Sequence, residues 1–476
     1  MNQRTRAAVV GGFVLLAVLA LLGQAAFLDR QPVVRGSGAG ALEDETVGRG
    51  PTLVGVQSWD DDGRLVELSP NGTVRWEYSL DGARVFGIDP LREGEPAPNV
   101  TPAADGTLVL FSLAEIVPAT DCEAEFIDAE LSFRGGLDAG EHCVNNRVVL
   151  MDRPAKEVVW QYSWYDEMVH YHEVHDAEVT DDGEVAIVDM GNDRAFTVDE
   201  DGEITWEWQA EEHIDEGTAF FEEHVPAGEA EEFAKAGELD DWTHMNDIDQ
   251  LPNGNFQLSI RNYDMLIEVD PETDEIVDTL GEPGKTEVMS RQHDPQPLPS
   301  HGTTIVADSD NDRVIEVDDE SEEVLWEYTG PPGAPLQWPR DADRLPNGHT
   351  LITDSRNNRI LEINASGRVV WEFHDPNGEV IPLPYGADRL PMGETAGGPS
   401  ADELGEQEAV DHGVGKLVRD VVTVAHWVLP TWMHLPQQLN LLAILLGGLW
   451  LLGEGIVYGA RRLGVRRRLR HWLGGR

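Results

Sequence analysis

The sequence predicts an all-β fold, a six-bladed β-propeller, from two short motifs that recur out of phase. A tryptophan motif occurs as GTVRWEY, KEVVWQY, GEITWEW, EEVLWEY and GRVVWEF, with a degenerate copy, DEIVDTL. A turn motif occurs as LPNGNF, LPSHGTT, LPNGHT and LPMGET, and its glycines stand 48, 46 and 45 residues apart. Two runs of alternating polar and apolar residues lie between turn and tryptophan. Each repeat therefore supplies four short strands, which is typical of a propeller blade.

The two ends of the repeat region predict how the ring closes. The first tryptophan unit, residues 52–80, lacks a preceding turn strand, and the last turn, residues 385–395, lacks a following tryptophan unit. Pairing of these N- and C-terminal segments completes one blade and covers the edges of the ring. We therefore expect six blades over residues 51–395.

Two long intervals between motifs predict insertions in the propeller. The first, residues 113–144, holds Cys122 and Cys143, and outside the cell such a pair closes a disulfide. The second, residues 209–242, is acidic and has a helical pattern in its C-terminal half.

Both ends of the chain predict membrane anchoring. Residues 7–28 contain one polar side chain, Gln24, and are long enough to cross the bilayer as a transmembrane helix; a cleaved signal peptide is the alternative. A second transmembrane helix is predicted at residues 437–460. Because arginines flank both outer ends, both termini are expected in the cytoplasm and the propeller domain on the extracellular side of the cell membrane.

The remaining segments are predicted from composition. In chain order they are a cytoplasmic N-terminus (1–6), a linker (29–50), a disordered-looking linker (396–413), an amphipathic juxtamembrane segment (414–434) and a basic cytoplasmic tail (461–476). Three sequons predict glycosylation of an external domain, at Asn71, Asn99 and Asn364.

The charge is strongly acidic, with 89 acidic against 34 basic residues and a formal net charge of -55. Nucleic acid is excluded as a partner because phosphate binding needs a basic face. The acidic, lysine-poor composition resembles that of proteins from salt-loving archaea, in which carboxylates maintain solubility.

The residues that enter the turn strand of each repeat are the candidate functional residues, because equivalent positions of successive blades surround one channel. That place holds His175, Asn246, His293, Arg340 and Gly386. Two further histidines, His172 and His244, both lie seven places before a turn. Histidines from three adjacent blades and one arginine are therefore expected in one layer.

A second pattern, D…NDR or D…NNR, follows the turn strand in most repeats. Its arginines, Arg194, Arg313 and Arg359, are expected to be structural and to pair with a carboxylate of the neighbouring blade. The segment SIRNYDM departs from this pattern and carries Arg261 in the same blade as His244.

The segments HMNDIDQLPNGNFQLSIRNYDMLIEVD and QHDPQPLPSHGTTIVADSDNDRVIEVD resemble the arylsulfotransferase family, the enzymes on a six-bladed propeller that do not use 3′-phosphoadenylyl sulfate. The resemblance spans roughly residues 50–395. It implies that His293 is the nucleophile, that His244 and Arg261 are a supporting pair, and that His175 is a further catalytic residue. No cofactor is implied.

These residue types suit sulfuryl transfer, since arginine and histidine can surround the anionic oxygens and an imidazole nitrogen can attack sulfur. Asp294 or Asp247 is expected to fix the tautomer of a neighbouring histidine. Arg340, Asn246 and Tyr263 are predicted to bind substrate. Other aromatic candidates for holding the aryl sulfate and the phenolic or glycan acceptor are Tyr171, Trp338 and Tyr385.

Two alternatives remain open at this point. Three histidines near carboxylates can bind a divalent metal instead, and a surface-anchored propeller without activity can act as a ligand-binding or envelope-organising module. The other histidines, His170, His172, His301 and His349, are expected to be structural.

Overall fold

The computed structural model describes residues 10, 14–19, 32–35, 50–58, 62–122, 142–166, 171–237, 241–332, 334–390, 398–404 and 435–462. The chain divides into two units. One comprises Pro32–Arg419, and the other comprises Met1–Gln31 with Asp420–Arg476. Each is described by itself below.

The described residues of the larger unit form six antiparallel sheets, which confirms the all-β fold and the six blades. From inner to outer strand, blade 1 has β25 (Pro384–Arg389), β2 (Thr52–Val56), β3 (Gly63–Leu68) and β4 (Val74–Leu80), and blade 2 has β5 (Ala83–Pro90), β6 (Leu108–Pro118), β7 (His142–Asp152) and β8 (Glu157–Asp166). Blade 3 has β9 (Val174–Val179), β10 (Val185–Asp189), β11 (Arg194–Val198) and β12 (Ile204–Gln209), and blade 4 has β13 (Met245–Gln250), β14 (Phe256–Ile260), β15 (Met265–Asp270) and β16 (Glu275–Gly281). Blade 5 has β17 (His293–Leu298), β18 (Thr303–Asp308), β19 (Arg313–Asp318) and β20 (Val324–Tyr328), and blade 6 has β21 (Pro339–Arg344), β22 (Thr350–Asp354), β23 (Arg359–Ile363) and β24 (Val369–His374).

Apolar side chains that alternate along these strands meet between the blades. Each of the six pairs of adjacent blades shares a buried hydrophobic cluster. The tryptophan of the repeat motif then ties one blade to the next, as when Trp371 Nε1 of blade 6 donates to the Pro70 carbonyl of blade 1 at 2.9 Å. The Nε1 of Trp206 likewise donates to Asp274 of the following blade at 2.9 Å. The recurrent tryptophan is therefore an interblade brace.

The predicted ring closure is confirmed. Strand β25 pairs with β2 in antiparallel register, with Thr52 opposite Arg389. A short strand that the linker prediction missed, β1 (Val33–Arg35), adds a fifth strand to blade 6 by pairing with β24. Part of the predicted linker 29–50 therefore belongs to the propeller.

The predicted disordered-looking linker 396–413 is also partly ordered. Residues 398–404 include a short helix, α4 (Ala401–Leu404), whose Ala401 N–H donates to the Glu316 carboxylate at 2.9 Å. Arg344 donates to the Pro399 carbonyl at 2.6 Å. The segment packs on blades 5 and 6 because it completes the hydrogen bonding of two buried charged side chains.

The two insertions take different forms. In the first, β6 and β7 extend into a long hairpin, and the predicted Cys122–Cys143 disulfide is present. Residues 123–141 lie outside the described part. In the second, three short helices form, α1 (Ala210–Ile214), α2 (Ala219–His224) and α3 (Ala230–Phe233), which pack on blades 3 and 4.

The smaller unit contains helix α5 (Leu435–Arg462). Among the residues that the structure describes, no helix is both long enough and apolar enough to cross a membrane. This finding does not support the two predicted transmembrane helices. Most of residues 7–28, and all of residues 1–6, 414–434 and 463–476, lie outside the described residues.

The arginines of the D…NDR pattern are structural, but their partners were predicted wrongly. Nε of Arg194 donates to Asp189 at 2.8 Å, and Nε of Arg359 donates to Asp354 at 2.8 Å. In both pairs the aspartate belongs to the same blade, directly opposite the arginine in the strand register. The five-residue spacing returns the arginine to its own aspartate across a tight turn, so no neighbouring blade is needed.

Candidate active site

A β-bulge in the inner strand of every blade shapes the channel. In all six blades the register between the inner strand and its neighbour shifts near its start. A bulge turns two consecutive side chains to one side of a strand. Each blade therefore presents a pair of residues to the channel, and the first members form what we call the entry layer: Phe86, His175, Asn246, His293, Arg340 and Tyr385.

Contacts between blades show that the entry layer meets at one place. The Tyr385 ring of blade 1 lies 5.7 Å from the His175 ring, 6.0 Å from the His293 ring and 4.7 Å from the Arg340 guanidinium. The ring of Phe86 lies 4.6 Å from the His175 ring. The count along the sequence had placed Gly386 in this layer. The bulge moves the position by one residue, so that Tyr385 takes it.

His293 lies buried at the start of β17, with 2% of its surface exposed. Its Nδ1 is 2.9 Å from Ser309 Oγ and 3.2 Å from the Arg291 carbonyl oxygen. Its ring meets the Trp338 ring edge-on at 5.9 Å. Burial, together with Arg340 and other nearby cationic groups, holds the pKa of His293 well below its ordinary value of 6.5. The imidazole is therefore neutral, as a nucleophile must be.

His175 and His244 form a pair, with ring centroids 5.2 Å apart. Nδ1 of His175 is 2.8 Å from the Tyr385 hydroxyl, and Nδ1 of His244 is 2.6 Å from Asp241 Oδ1. Burial, and then the nearby positive groups, lower the pKa of both histidines, although Asp241 opposes this for His244. Burial opposes ionisation of Asp241, but His244 and Arg261 outweigh it and lower the pKa of Asp241 to about 2.

Two arginines of the site are buried without a carboxylate partner among the described residues. Arg261 and Arg340 are each 3% exposed. Arg261 Nη1 donates to Asn262 Oδ1 at 2.9 Å, Arg340 Nη1 donates to Gln57 Oε1 at 2.6 Å, and Nε of both arginines lacks a hydrogen-bond partner. Burial lowers the pKa of Arg340 to about 9 and also lowers the pKa of Arg261. These cations have unused hydrogen-bond donors.

Aromatic rings hold Arg340 in place. Its guanidinium lies 3.9 Å from the Trp338 ring and 4.7 Å from the Tyr385 ring. Cation–π contacts of this kind stabilise a buried guanidinium without neutralising it. Trp338 and Tyr385, two of the candidate aromatics, therefore line the site.

Backbone braces between blades fix where the entry layer begins. At the end of each tight turn, a residue with a left-handed backbone points its side chain to the next blade. There Asp264 accepts a hydrogen bond from the Arg291 N–H at 2.8 Å, two residues before His293. In the next blade Asp312 accepts from the Trp338 N–H at 2.9 Å, two residues before Arg340. This repeat chemistry positions the site side chains.

Two predicted substrate-binding residues, Tyr263 and Asn246, form structural contacts. Tyr263 packs in the hydrophobic core against the second insertion, and its hydroxyl donates to the Phe233 carbonyl at 2.6 Å. It therefore anchors the insertion instead of lining the channel. Asn246 lies in the entry layer, but its Nδ2 donates to the Gln292 carbonyl of the next blade at 2.8 Å. Its amide serves to hold blade 4 to blade 5.

The predicted role of Asp294 or Asp247 in fixing a histidine tautomer is wrong. Among the described residues neither carboxyl group is hydrogen-bonded to one of the three histidines. Burial and neighbouring carboxyl groups raise the pKa of both residues well above the ordinary value. Ser309, Asp241 and Tyr385 hold the three histidines instead. Tyr385 was among the aromatic candidates, but the sequence carried no distinct signal for Ser309 or Asp241, which lie in a turn and a loop.

Buried carboxyl groups fill the channel below the entry layer. They come from the second bulge position of four inner strands and from the position two residues further on in five: Asp89, Asp176, Glu178, Asp247, Asp249, Asp294, Asp341, Asp343 and Asp388. Burial raises the pKa of all of them, for example that of Asp341 to about 7 and that of Asp249 to about 8. This region therefore tends to be uncharged.

The histidines expected to be structural do pair with carboxylates where they are described. Nδ1 of His172 is 2.6 Å from Asp166, and Nδ1 of His349 is 2.7 Å from Glu362. His301 lies 3.9 Å from Glu403. His170 is outside the described residues.

A metal centre is not favoured at this site. Within the described ranges no group of three or more His, Cys, Asp or Glu side chains is arranged to hold a metal ion. Arg261 and Arg340 also act on the imidazoles of His175 and His293 as nearby positive charges. Positive charge at that place disfavours a cation and favours an anion.

The fold is a six-bladed β-propeller whose entry layer contains buried histidines and Arg340, and family models match two parts of it. The family model for arylsulfotransferase (ASST) matches residues 173–294, a range that contains His175, His244, Arg261 and His293. This match supports the arylsulfotransferase family. A second family model, for outer membrane protein assembly factor BamB, matches residues 254–393. No curated protein matches the chain in sequence.

Several solved structures are similar to the chain at low identity. A protein of unknown function from Bacteroides caccae is 14% identical, with a TM-score of 0.45 over 71% of this chain and 98% of that one. A catalytically inactive virginiamycin B lyase from Staphylococcus aureus with quinupristin is 10% identical, with a TM-score of 0.36 over 72% of this chain and 88% of that one. A nidogen–laminin complex gives 12% identity and a TM-score of 0.41 over 73% and 100%.

Proposed function

We propose that this protein is an aryl-sulfate sulfotransferase that moves a sulfuryl group from an aryl sulfate ester to a phenolic or other hydroxyl acceptor through a sulfohistidine on His293. The observation that carries the proposal is the pair of buried guanidiniums, Arg261 and Arg340, which lack carboxylate partners among the described residues and lower the pKa of the nearby imidazoles. An oxyanion bound there would take up the unused donors. The match of the arylsulfotransferase model to residues 173–294 supports the same reading.

The first half-reaction uses the lone pair of His293 Nε2. As the nitrogen–sulfur bond forms, the bond between sulfur and the aryl oxygen breaks, and its electron pair leaves with the phenolate, which solvent protonates. Charge on the three outer sulfuryl oxygens is balanced by Arg261 and Arg340. Preorganised donors of this kind are commonly the largest single contribution to catalysis.

The second half-reaction returns the group to a hydroxyl acceptor. The acceptor oxygen bonds to sulfur, the nitrogen–sulfur bond breaks, and its electron pair returns to His293 Nε2. His244 takes the hydroxyl proton in this scheme, since its Nδ1 is hydrogen-bonded to Asp241 at 2.6 Å and that carboxylate stabilises the resulting imidazolium. Asp241 therefore supports the base of the second step.

The substrates would be held by aromatic contact. Trp338 and Tyr385 flank the guanidinium of Arg340 beside His293. An aryl ring stacked on them would place its sulfate next to both arginines. We propose an aryl sulfate as the donor and a phenolic or glycan hydroxyl as the acceptor.

The test is transfer by the purified full-length protein in high salt, with 4-nitrophenyl sulfate as donor and phenol as acceptor. We expect release of 4-nitrophenol that depends on the acceptor, and loss of this release in H293A. H301A is the matched control, because His301 lies in the turn between β17 and β18 of the same blade, at the other end of β17 from His293. Absence of acceptor-dependent release from the folded wild-type protein would contradict the proposal.

A second candidate function, a non-catalytic surface-anchored propeller that binds ligands or organises the envelope, is favoured by one observation. The model for an outer membrane assembly factor matches residues 254–393. If this candidate is correct, H293A and the wild-type protein will bind inorganic sulfate equally well and neither will transfer a sulfuryl group.

A further inference from the structure

The hydroxyl of Ser309 lies between His293 and the backbone of blade 6. Ser309 Oγ is 2.9 Å from His293 Nδ1 and 2.6 Å from the Pro339 carbonyl oxygen. A carbonyl oxygen only accepts, so the single hydroxyl hydrogen goes to Pro339 at the shorter distance. Ser309 Oγ is then an acceptor towards His293, and Nδ1 must be the donor.

A second contact points to the same tautomer. The Arg291 carbonyl oxygen is 3.2 Å from His293 Nδ1, and it too can only accept. With the hydrogen on Nδ1, the neutral imidazole keeps its lone pair on Nε2. The pair of acceptors behind the ring therefore decides which nitrogen is available for reaction.

We propose that Ser309 is a positioning residue, which holds His293 in the tautomer with a free Nε2 and receives the Nδ1 hydrogen bond of the sulfated ring. The inference rests on the proposed function of His293 as the nucleophile. When Nε2 bonds to sulfur and the aryl oxygen leaves with its electron pair, Nδ1 keeps its hydrogen and the ring becomes cationic. The chain from Nδ1 through Ser309 to the Pro339 carbonyl then spreads that charge towards the backbone.

The fold supplies a matched control for Ser309. It is the first residue of the tight turn after β18, and Ser355 is the first residue of the corresponding turn after β22. Both are fully buried, but Ser355 Oγ has no hydrogen-bond partner. The same Ser→Ala change at Ser355 therefore removes a buried hydroxyl of equal size without removing a contact to the nucleophile.

The experiment compares S309A, S309T and S355A in the full-length protein. The first measurement is the pre-steady-state burst of 4-nitrophenol from 4-nitrophenyl sulfate, with KM recorded separately. The second is the tautomer of His293, from two-dimensional ¹⁵N–¹H spectra of histidine-labelled protein, with the His293 signal assigned by its loss in H293Q.

For S309A we expect a burst rate about tenfold to a hundredfold slower with KM nearly unchanged, because a hydrogen bond to a charged ring is lost in the reacting state. We also expect the tautomer with hydrogen on Nε2 to become populated. S309T retains the hydroxyl and should restore both properties, and S355A should match the wild type.

An unchanged tautomer or an unchanged burst rate in folded S309A would overturn the proposal. Should the wild-type protein show no transfer at all, the proposed function fails separately. The spectra would then still decide whether Ser309 sets the tautomer, since that measurement needs no activity.

Discussion

Two sets of arginines in the propeller differ in what faces them. Arg194, Arg313 and Arg359 each donate to an aspartate five residues earlier and also pair with a glutamate on the outer strand. Arg261 and Arg340 are buried as deeply as Arg359 but form no ion pair with a described carboxylate. In the first set the charge is matched inside the blade. In the second set no described carboxylate matches the charge.

The position of Arg261 shows how one repeat changes from the first arrangement to the second. In blades 3, 5 and 6 an aspartate and an arginine face each other across the tight turn, whereas in blade 4 the same register pairs Ile260 with Met265. The structural ion pair is replaced by two apolar residues, and Arg261 lies inside the turn near the histidines. Burying a charge without a partner costs stability, and such a cost is common at functional sites.

The largest effect is expected when a structural arginine is removed. R359M leaves Asp354, which is fully buried, without its cation. We expect the free energy of unfolding to fall by about 3–5 kcal/mol, since breaking one side of a buried ion pair strands the other charge. Chemical denaturation monitored by tryptophan fluorescence measures this. If the free energy of unfolding falls less in R359M than in R340M, the proposed difference between the two sets is wrong.

The same substitution at the site should affect activity instead of stability. R340M and R261M keep most of the side-chain volume and strand no described carboxylate. We expect sulfuryl transfer to fall by about 10²–10³-fold, the usual result of removing one preorganised donor. The free energy of unfolding should not fall, because no described carboxylate loses its cation and an unpaired buried charge is removed. Steady-state kinetics and chemical denaturation of the same samples measure the transfer rate and the free energy of unfolding. Full activity in both variants would contradict the proposed role of the two arginines in sulfuryl transfer.

Much of the fold follows from the repeats because propeller blades impose a fixed spacing. The motif period gave six blades, and the unpaired ends at residues 52–80 and 385–395 gave the closing blade. The contacts that could not be predicted are those that do not belong to the repeat. Strand β1 pairs with a blade, and residues 398–404 are joined to the blades by single hydrogen bonds. The composition of both segments predicted flexible linkers.

The site was predicted in part for a similar reason. His175, His293 and Arg340 share one register position, so counting from the turn found them. The bulge shifted the last blade by one residue, which is why Gly386 was predicted where Tyr385 lies. Side-chain direction is not periodic: Tyr263 points to the insertion and Ser309 reaches across to the nucleophile. Such contacts depend on the three-dimensional packing of separate segments.

The buried carboxyl groups below the entry layer can be compared with the arginines in the same way, because they too lie among groups of like charge. Burial and neighbouring carboxyl groups raise the pKa of Asp249 to about 8, against 3.8 ordinarily. The folded state therefore binds the Asp249 proton more tightly than the unfolded state does. The stability that this proton contributes is complete below about pH 3.8 and is lost as the pH rises towards 8. We expect D249N to raise the free energy of unfolding at pH 8 by about 1–3 kcal/mol and to change it little at about pH 3.5. D201N, at an exposed position, is the control, and an equal gain at both pH values would contradict the prediction.

The smallest expected effect is a change in the pKa of His293 when Arg340, one of the two arginines without an ion pair, is replaced. After burial, Arg340 is the largest cause of the lowered pKa of His293. Because the folded-state pKa lies below 6.5, the unfolded chain binds more protons between the two values. The contribution of His293 to stability is therefore complete above about pH 6.5 and is lost as the pH falls towards the folded-state pKa.

R340M should raise the pKa of His293 towards 6.5 in an NMR titration. The pH range over which His293 affects stability then becomes narrower. R194M should leave it unchanged, because Arg194 is neutralised by Asp189 in its own blade. Equal titration of His293 in the wild type and R340M would show that burial alone keeps the imidazole neutral, and the unpaired guanidinium would then act on the substrate only.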